Sequence, residues 1–221
     1  MENVQIHSKE ELTDALITEY IARNEYLDVK QKEFILKFAK FYIKDNSYLF
    51  DLYMGIQNKR NFVIDEENKV TYEYLGEKCN ISIDGDDMDF NVDILIQILP
   101  YLIDICEDVL PLGSCVELKK EYFKDVFDIT KVNNVRITIT YRFVKSDNTY
   151  YTYAGVVYPV GNFNTDKIIK FTPTLIKKVL HRGYSDEQED AYVYLMKNEY
   201  ILEDKMKSAG YGIGGQDGNK S

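Results

Sequence analysis

A side-chain nucleophile needs a base beside it, and the base needs an acid to orient it. In these 221 residues the material for such a group is thin: three cysteines, Cys79, Cys106 and Cys115, and two histidines, His7 and His181. Cys115 follows a Pro-Leu-Gly turn, so it is the thiol a turn would expose, and Cys115 with His181 is the one pair on which a hydrolase could be built. The competing reading is a strand-start cysteine turned to the core, where a thiol is inert. Metal chemistry fares no better. The cysteines form no Cys-x-x-Cys and leave one over in any pairing, and two isolated histidines make no ligand set. Asp84-Gly85-Asp86-Asp87-Met88-Asp89 has the acids of a calcium loop but not its order: the glycine falls second and no glutamate closes it. Those acids are expected at a turn and at the N-terminus of the following helix, where the macrodipole favours negative charge. The Gly-rich end, Ser208 to Gly218, has no Lys-Ser/Thr after it and no strand before it, so it is no phosphate loop. The expectation is a non-enzyme without cofactor or metal.

The elements that carry these residues alternate between two periods. Ser8-x-x-Glu11 is a capping box ahead of Leu12, Leu16, Ile17 and Tyr20 at helical spacing, and Asp28-x-x-Gln31 opens a second helix with Phe34, Ile35, Phe38, Phe41 and Tyr42. From Tyr48 to Tyr53, Asn61 to Ile64, Val70 to Tyr74 and Asn80 to Ile83 the period is two, and the short connections predict antiparallel hairpins. A broad apolar helix is predicted from about Asn91 to Asp108, kinked or split at Pro100. Pro111 ends it and Gly113 supplies a turn. Val135 to Val144 is the clearest strand, and it turns at Ser146-Asp147-Asn148 into Thr149 to Tyr158, which ends on Pro159 and Gly161. Lys167 to Phe171 reads as a further strand. Thr172-Pro173 then reads as the start of a short helix carrying Leu175, Ile176 and Val179, and Ser185-x-x-Gln188 as the start of a long one reaching Lys207. The fold class is α+β: antiparallel meanders, N-terminal helices, a central kinked helix and a long C-terminal helix. Three segments follow: 1–108, 109–207 and a flexible tail, 208–221.

A net charge of −10 argues against nucleic acid and anionic membrane, which both call for a basic footprint. The longest apolar run, Ile94 to Ile105, is short and interrupted by Gln97, Pro100 and Asp104, so no membrane insertion is expected and the cytoplasm is the expected location. There are 19 Tyr and 11 Phe but no Trp, which suits either half-exposed strands or a recognition surface. On the last helix Ala191, Leu195, Leu202 and Met206 fall on one side, fit to pack on a sheet. Tyr192, Met196 and Tyr200 form a second stripe at i, i+4 and i+8. That stripe is either more core or the docking face for a protein partner.

Three stretches read together: Leu110-Pro111-Leu112-Gly113-Ser114-Cys115-Val116, Tyr153-Ala154-Gly155-Val156-Val157-Tyr158-Pro159-Val160-Gly161, and Gly183-Tyr184-Ser185-Asp186-Glu187. In order and spacing they resemble the domain of unknown function catalogued as four-one-seven-six, with Cys115 where that family has Val. The likeness covers roughly the second half of the chain. Members of that family are found in Gram-positive type VII secretion loci beside toxins with an LXG targeting domain. The resemblance therefore implies an accessory, adaptor or chaperone role with an LXG-type toxin or another secretion factor as partner. An immunity protein that blocks the toxic domain is the alternative. Tyr200-Ile201-Leu202-Glu203-Asp204 fits the Tyr-x-x-x-Asp/Glu element of type VII substrates, but without any Trp the accompanying hairpin signal is missing. A helper of export fits better than a cargo.

Overall fold

The computed structural model describes residues 8–128, 130–161 and 168–211. The chain divides into two compact units, Met1–Glu107 with Lys197–Glu203, and Asp108–Met196 with Asp204–Ser221.

The first unit opens on two capped helices, α1 (Lys9–Arg23) and α2 (Val29–Phe41). Both capping boxes close: Glu11 N–H donates to Ser8 Oγ at 3.2 Å while Ser8 N–H donates to Glu11 Oε2 at 2.7 Å, and Asp28 with Gln31 repeats the exchange. Next comes a helix, α3 (Ser47–Gln57), where the sequence predicts a strand from Tyr48 to Tyr53. Leu49, Leu52 and Ile56 are buried to 1% exposure or less, so a helical spacing overrides the strand preference of the aromatics around them. Gly55 lies inside α3. A Cβ there would stand 1.9 Å from the Phe62 ring, so the glycine lets that ring lie on the helix.

A four-stranded antiparallel meander follows: β1 (Phe62–Asp65), β2 (Val70–Leu75), β3 (Lys78–Ile83) and β4 (Asp86–Asn91), in that spatial order. Asp84 and Gly85 both take positive φ, the two-residue hairpin that Asp-Gly favours. The acids beyond it therefore do not cap a helix. Asp86, Asp87 and Asp89 line β4, where only Phe90 is buried. The cap belongs to Asn91, whose side chain accepts from Asp93 N–H and Ile94 N–H. It starts α4 (Val92–Cys106), ten of whose residues are buried. Pro100 does not split it; the chain stays helical from Val92 to Cys106. α3 packs on α4, and α1 on both α2 and α4.

The second unit is a six-stranded sheet. Its path runs β10 (Lys207–Ser208), β7 (Thr149–Val157), β6 (Val135–Ser146), β5 (Cys115–Leu118), β9 (Ile176–His181), with β8 (Ile169–Phe171) also on β7. Every pairing is antiparallel except the short β10–β7 contact. The expected helix after Thr172-Pro173 is absent. Pro173–Leu175 makes one 3-10 turn and Ile176 to His181 pairs with β5 instead, because this stretch is offered an open strand edge that takes its backbone groups. Of the predicted strand Lys167 to Phe171, Lys167 lies outside the described residues.

The last helix starts at Glu187 and is α-helical to Lys197 (α5), then π-helical over Asn198–Glu203. Its cap is Asp186, which accepts from Glu189 N–H at 3.0 Å, rather than Ser185. It ends short of Lys207: Lys205 takes a positive φ and the chain leaves as β10. Ser208 and the Ala209–Tyr211 turn are therefore built into structure, and the rest of the expected tail lies outside the described residues.

Candidate functional site

Of the predicted turn residues, Pro111 and Gly113 build a frame at the Ile139 level of β6, while Pro159 and Gly161 lie past Arg136 at the other end of the pairing. Gly113 has φ +81°, and its N–H donates to Ile139 O at 2.9 Å while Ile139 N–H donates to Ser114 O at 2.8 Å. The turn is thus sewn to β6 before β5 begins. Ser114 is fully buried. Its hydroxyl donates to Pro111 O at 2.7 Å and accepts from Gly183 N–H at 3.0 Å, so one side chain joins the first of the quoted motifs to the third. Gly183 fits there only because it lacks a side chain: a Cβ would stand 2.1 Å from Leu112 O. The middle motif joins the same frame. The buried Tyr153 hydroxyl accepts from Leu110 N–H at 2.9 Å, and a Cβ on Gly155 would stand 2.1 Å from Thr138 O. Gly161 closes β7 with φ +65°, its N–H on Val157 O, just after the cis Tyr158–Pro159 bond. Arg182 and Asp108, paired at 2.7 and 3.0 Å, tie the chain just ahead of the Pro111 turn to the end of β9. Sequence spacing cannot show that Ser114 is the link; a small buried hydroxyl after Pro-x-Gly is its only trace.

The β5–β9 register does set Cys115 opposite His181. Cys115 is half-buried and His181 exposed, and among the described residues the imidazole has no hydrogen-bonded acid to orient it. The other thiols are sealed: burial pushes Cys79 up to about 11 and Cys106 up to about 12. Among the described residues no group of three or more His, Cys, Asp or Glu could hold a metal. No helix among them is long and apolar enough to cross a membrane. His7 lies outside the described residues.

The proposed docking residues are not one open stripe. Tyr192 is 41% exposed, with the Arg142 guanidinium 4.9 Å above its ring and the Phe143 ring edge-on at 6.3 Å. Met196 is half-buried and Tyr200 is buried. Of the row assigned to the sheet, Leu202 and Met206 are buried as expected, whereas Ala191 and Leu195 are exposed and Val193, Lys197 and Ile201 are buried instead. Arg142, on β6, is the anchor that spacing did not reveal. It is buried against Glu189 and fastens α5 through a charge pair and a cation–π contact together.

Lys197 is the second such residue. It is 4% exposed, and its ammonium donates to Ile105 O at 2.8 Å and Glu107 O at 2.7 Å, satisfying carbonyls at the end of α4. Burial pulls it down to about 8, against the opposing pull of Cys106, Glu107 and Asp104.

Across the sheet, charges alternate. Arg136 on β6 is register partner to Glu117 on β5, which is partner to Lys178 on β9. Glu117 is nearly buried, with Lys177 Nζ at 2.8 Å and Arg136 Nε at 3.8 Å. The Lys177 hydrogen bond, helped by Arg136 and Lys178, holds its carboxyl below the usual range although burial opposes this.

No curated protein and no solved structure matches the chain. A family model does, over a stretch that begins at the Pro111 turn and ends on α5, inside the second unit. Residues 109–192 match the family model described as a domain of unknown function, DUF4176.

Proposed function

We propose that the protein is a non-enzymatic accessory, an adaptor or chaperone, of a type VII secretion toxin of the LXG kind. The observation that carries this reading is the use to which the motif residues are put. Pro111, Gly113, Ser114, Tyr153, Gly155 and Gly183 meet backbone or one another and build a scaffold. A catalytic signature would leave a polar group aimed into a cleft; here the signature polar groups, the Ser114 and Tyr153 hydroxyls, are consumed internally. The match over 109–192 supports the likeness to the family; the choice of partner rests on the resemblance of these motifs to domains found beside LXG toxins.

One observation favours the second reading, an immunity protein. The outer strand β4 presents Asp86, Asp87 and Asp89 on a chain of net charge −10, a surface suited to covering a basic toxic site. Co-purification separates the two. The full chain is expressed with the N-terminal targeting half of an LXG toxin from its own locus and, separately, with the C-terminal toxic half. Retention by the targeting half supports the adaptor; retention by the toxic half alone, with loss of toxicity, establishes the immunity reading instead.

A further inference from the structure

The outer strand β9 ends the sheet path and pairs with β5 on one side. Its residues from Lys177 to His181 are all exposed, with Val179 at 43% and Leu180 at 39%. Two rows of side chains run across the sheet and stop there unfinished. On one face the register aligns Val157, Ile137, Val116 and Val179; Ile137 and Val116 are fully buried, and Val179 is left open at the end. On the other face Arg136, Glu117 and Lys178 alternate in sign, with the register shifting on either side of Lys178 and Val179, and with Lys177 making the ion pair to Glu117.

An added strand would lie about 4.8 Å beyond β9, with consecutive side chains on opposite faces. Beside Val179 the first row asks for an apolar, β-branched residue. Beside Lys178 the second asks for a carboxylate, because opposite charges directly across a strand pair attract and like charges repel. A second copy of β9 does not meet these terms, since it would bring Lys177 and Lys178 of both copies to one seam.

We infer that β9 is a docking edge for an extended segment of a partner protein in which an acidic and a β-branched residue alternate, added to the sheet as a further strand. This rests on the protein-binding reading above and says where and how a partner is held.

The test uses the full chain with two fluorescent peptides, one of alternating Glu and Val and one of alternating Lys and Val. Anisotropy measures binding and hydrogen exchange locates it. The Glu-Val peptide is expected to bind saturably and to slow exchange at Lys177 to His181. Lys178→Glu should weaken it by about tenfold, with Lys178→Thr between the two. The Lys178 side chain is exposed, so both variants are expected to keep the wild-type circular-dichroism spectrum. Absence of Glu-Val binding, equal binding of the Lys-Val peptide, protection confined to other strands, or an affinity indifferent to Lys178→Glu would each overturn the inference. So would protection of β9 that rises with protein concentration alone, which would make the occupant a second copy. Because the peptides contain no toxin sequence, failure here leaves the toxin pull-down untouched, and failure of the pull-down leaves this edge standing.

Discussion

Gly183→Ala and Gly113→Ala replace two glycines of one frame, and the structure assigns them different costs. At Gly113 a Cβ would meet nothing within 4 Å, so the penalty is that of holding an L-residue at φ +81°, about 1 kcal/mol. At Gly183 the new methyl would stand 2.1 Å from Leu112 O, and 3.1 Å from both Leu112 C and Ser114 N. An ordinary C···O contact is about 3.3 Å, so the two backbones must part by about 1 Å. The Gly183 N–H to Ser114 Oγ bond, 3.0 Å in the native turn, does not survive that movement. Overpacking against backbone costs about 2 kcal/mol and the lost hydrogen bond about 1, giving about 3 kcal/mol in all. Urea unfolding followed by circular dichroism measures both variants, with hydrogen exchange at Ile139 reporting on the second unit. Equal losses, or a neutral Gly183→Ala, would refute the claim that the third motif is docked on the first.

Lys197→Met tests the buried ammonium. The native lysine loses its proton near pH 8 and the unfolded one near 10.5, so between those values the unfolded chain binds more protons. Wild-type stability should therefore rise with pH relative to the Met variant, by at most about 3 kcal/mol across that window; a flat difference would mean that the amine is not desolvated. In the folded chain a thiol reagent should modify Cys115 rapidly and leave Cys79 and Cys106 untouched until urea is added; rapid loss of all three thiols would contradict their burial. Tyr200→Ala should cost about 3 kcal/mol, as removal of a buried aromatic does, whereas Tyr192→Ala at a 41% exposed site should cost about 1; melting curves distinguish them, and the reverse order would refute the burial described.

Much of the fold is legible wherever local chemistry and burial agree. The Ser8 and Asp28 boxes close as their spacing predicts, and the β6–β7 hairpin follows from ten residues of clean alternation ahead of a polar turn. Legibility fails where tertiary partners choose between two local options. Tyr48 to Tyr53 has strand-forming residues but a helix-spaced trio, Leu49, Leu52 and Ile56, and the core takes the trio. Thr172-Pro173 begins a helical turn correctly, yet Ile176 onward finds the edge of β5, a neighbour that local pattern cannot announce. On α5 a helical wheel places Leu195 inward, but the anchors are polar: Arg142 on Glu189, and Lys197 on the carbonyls closing α4. A wheel that counts only apolar residues is turned off by such anchors. The motif triad is legible as spacing, but that one hydroxyl joins two of its turns depends on contacts only the fold creates.

The most direct measurement of the functional account is a calorimetric titration of the purified full chain with the isolated targeting half and, separately, the isolated toxic half of the LXG toxin from its own locus. On the adaptor reading, saturable binding heat is expected with the targeting half and none with the toxic half. Heat from the toxic half alone, accompanied by inhibition of the toxin, would contradict it.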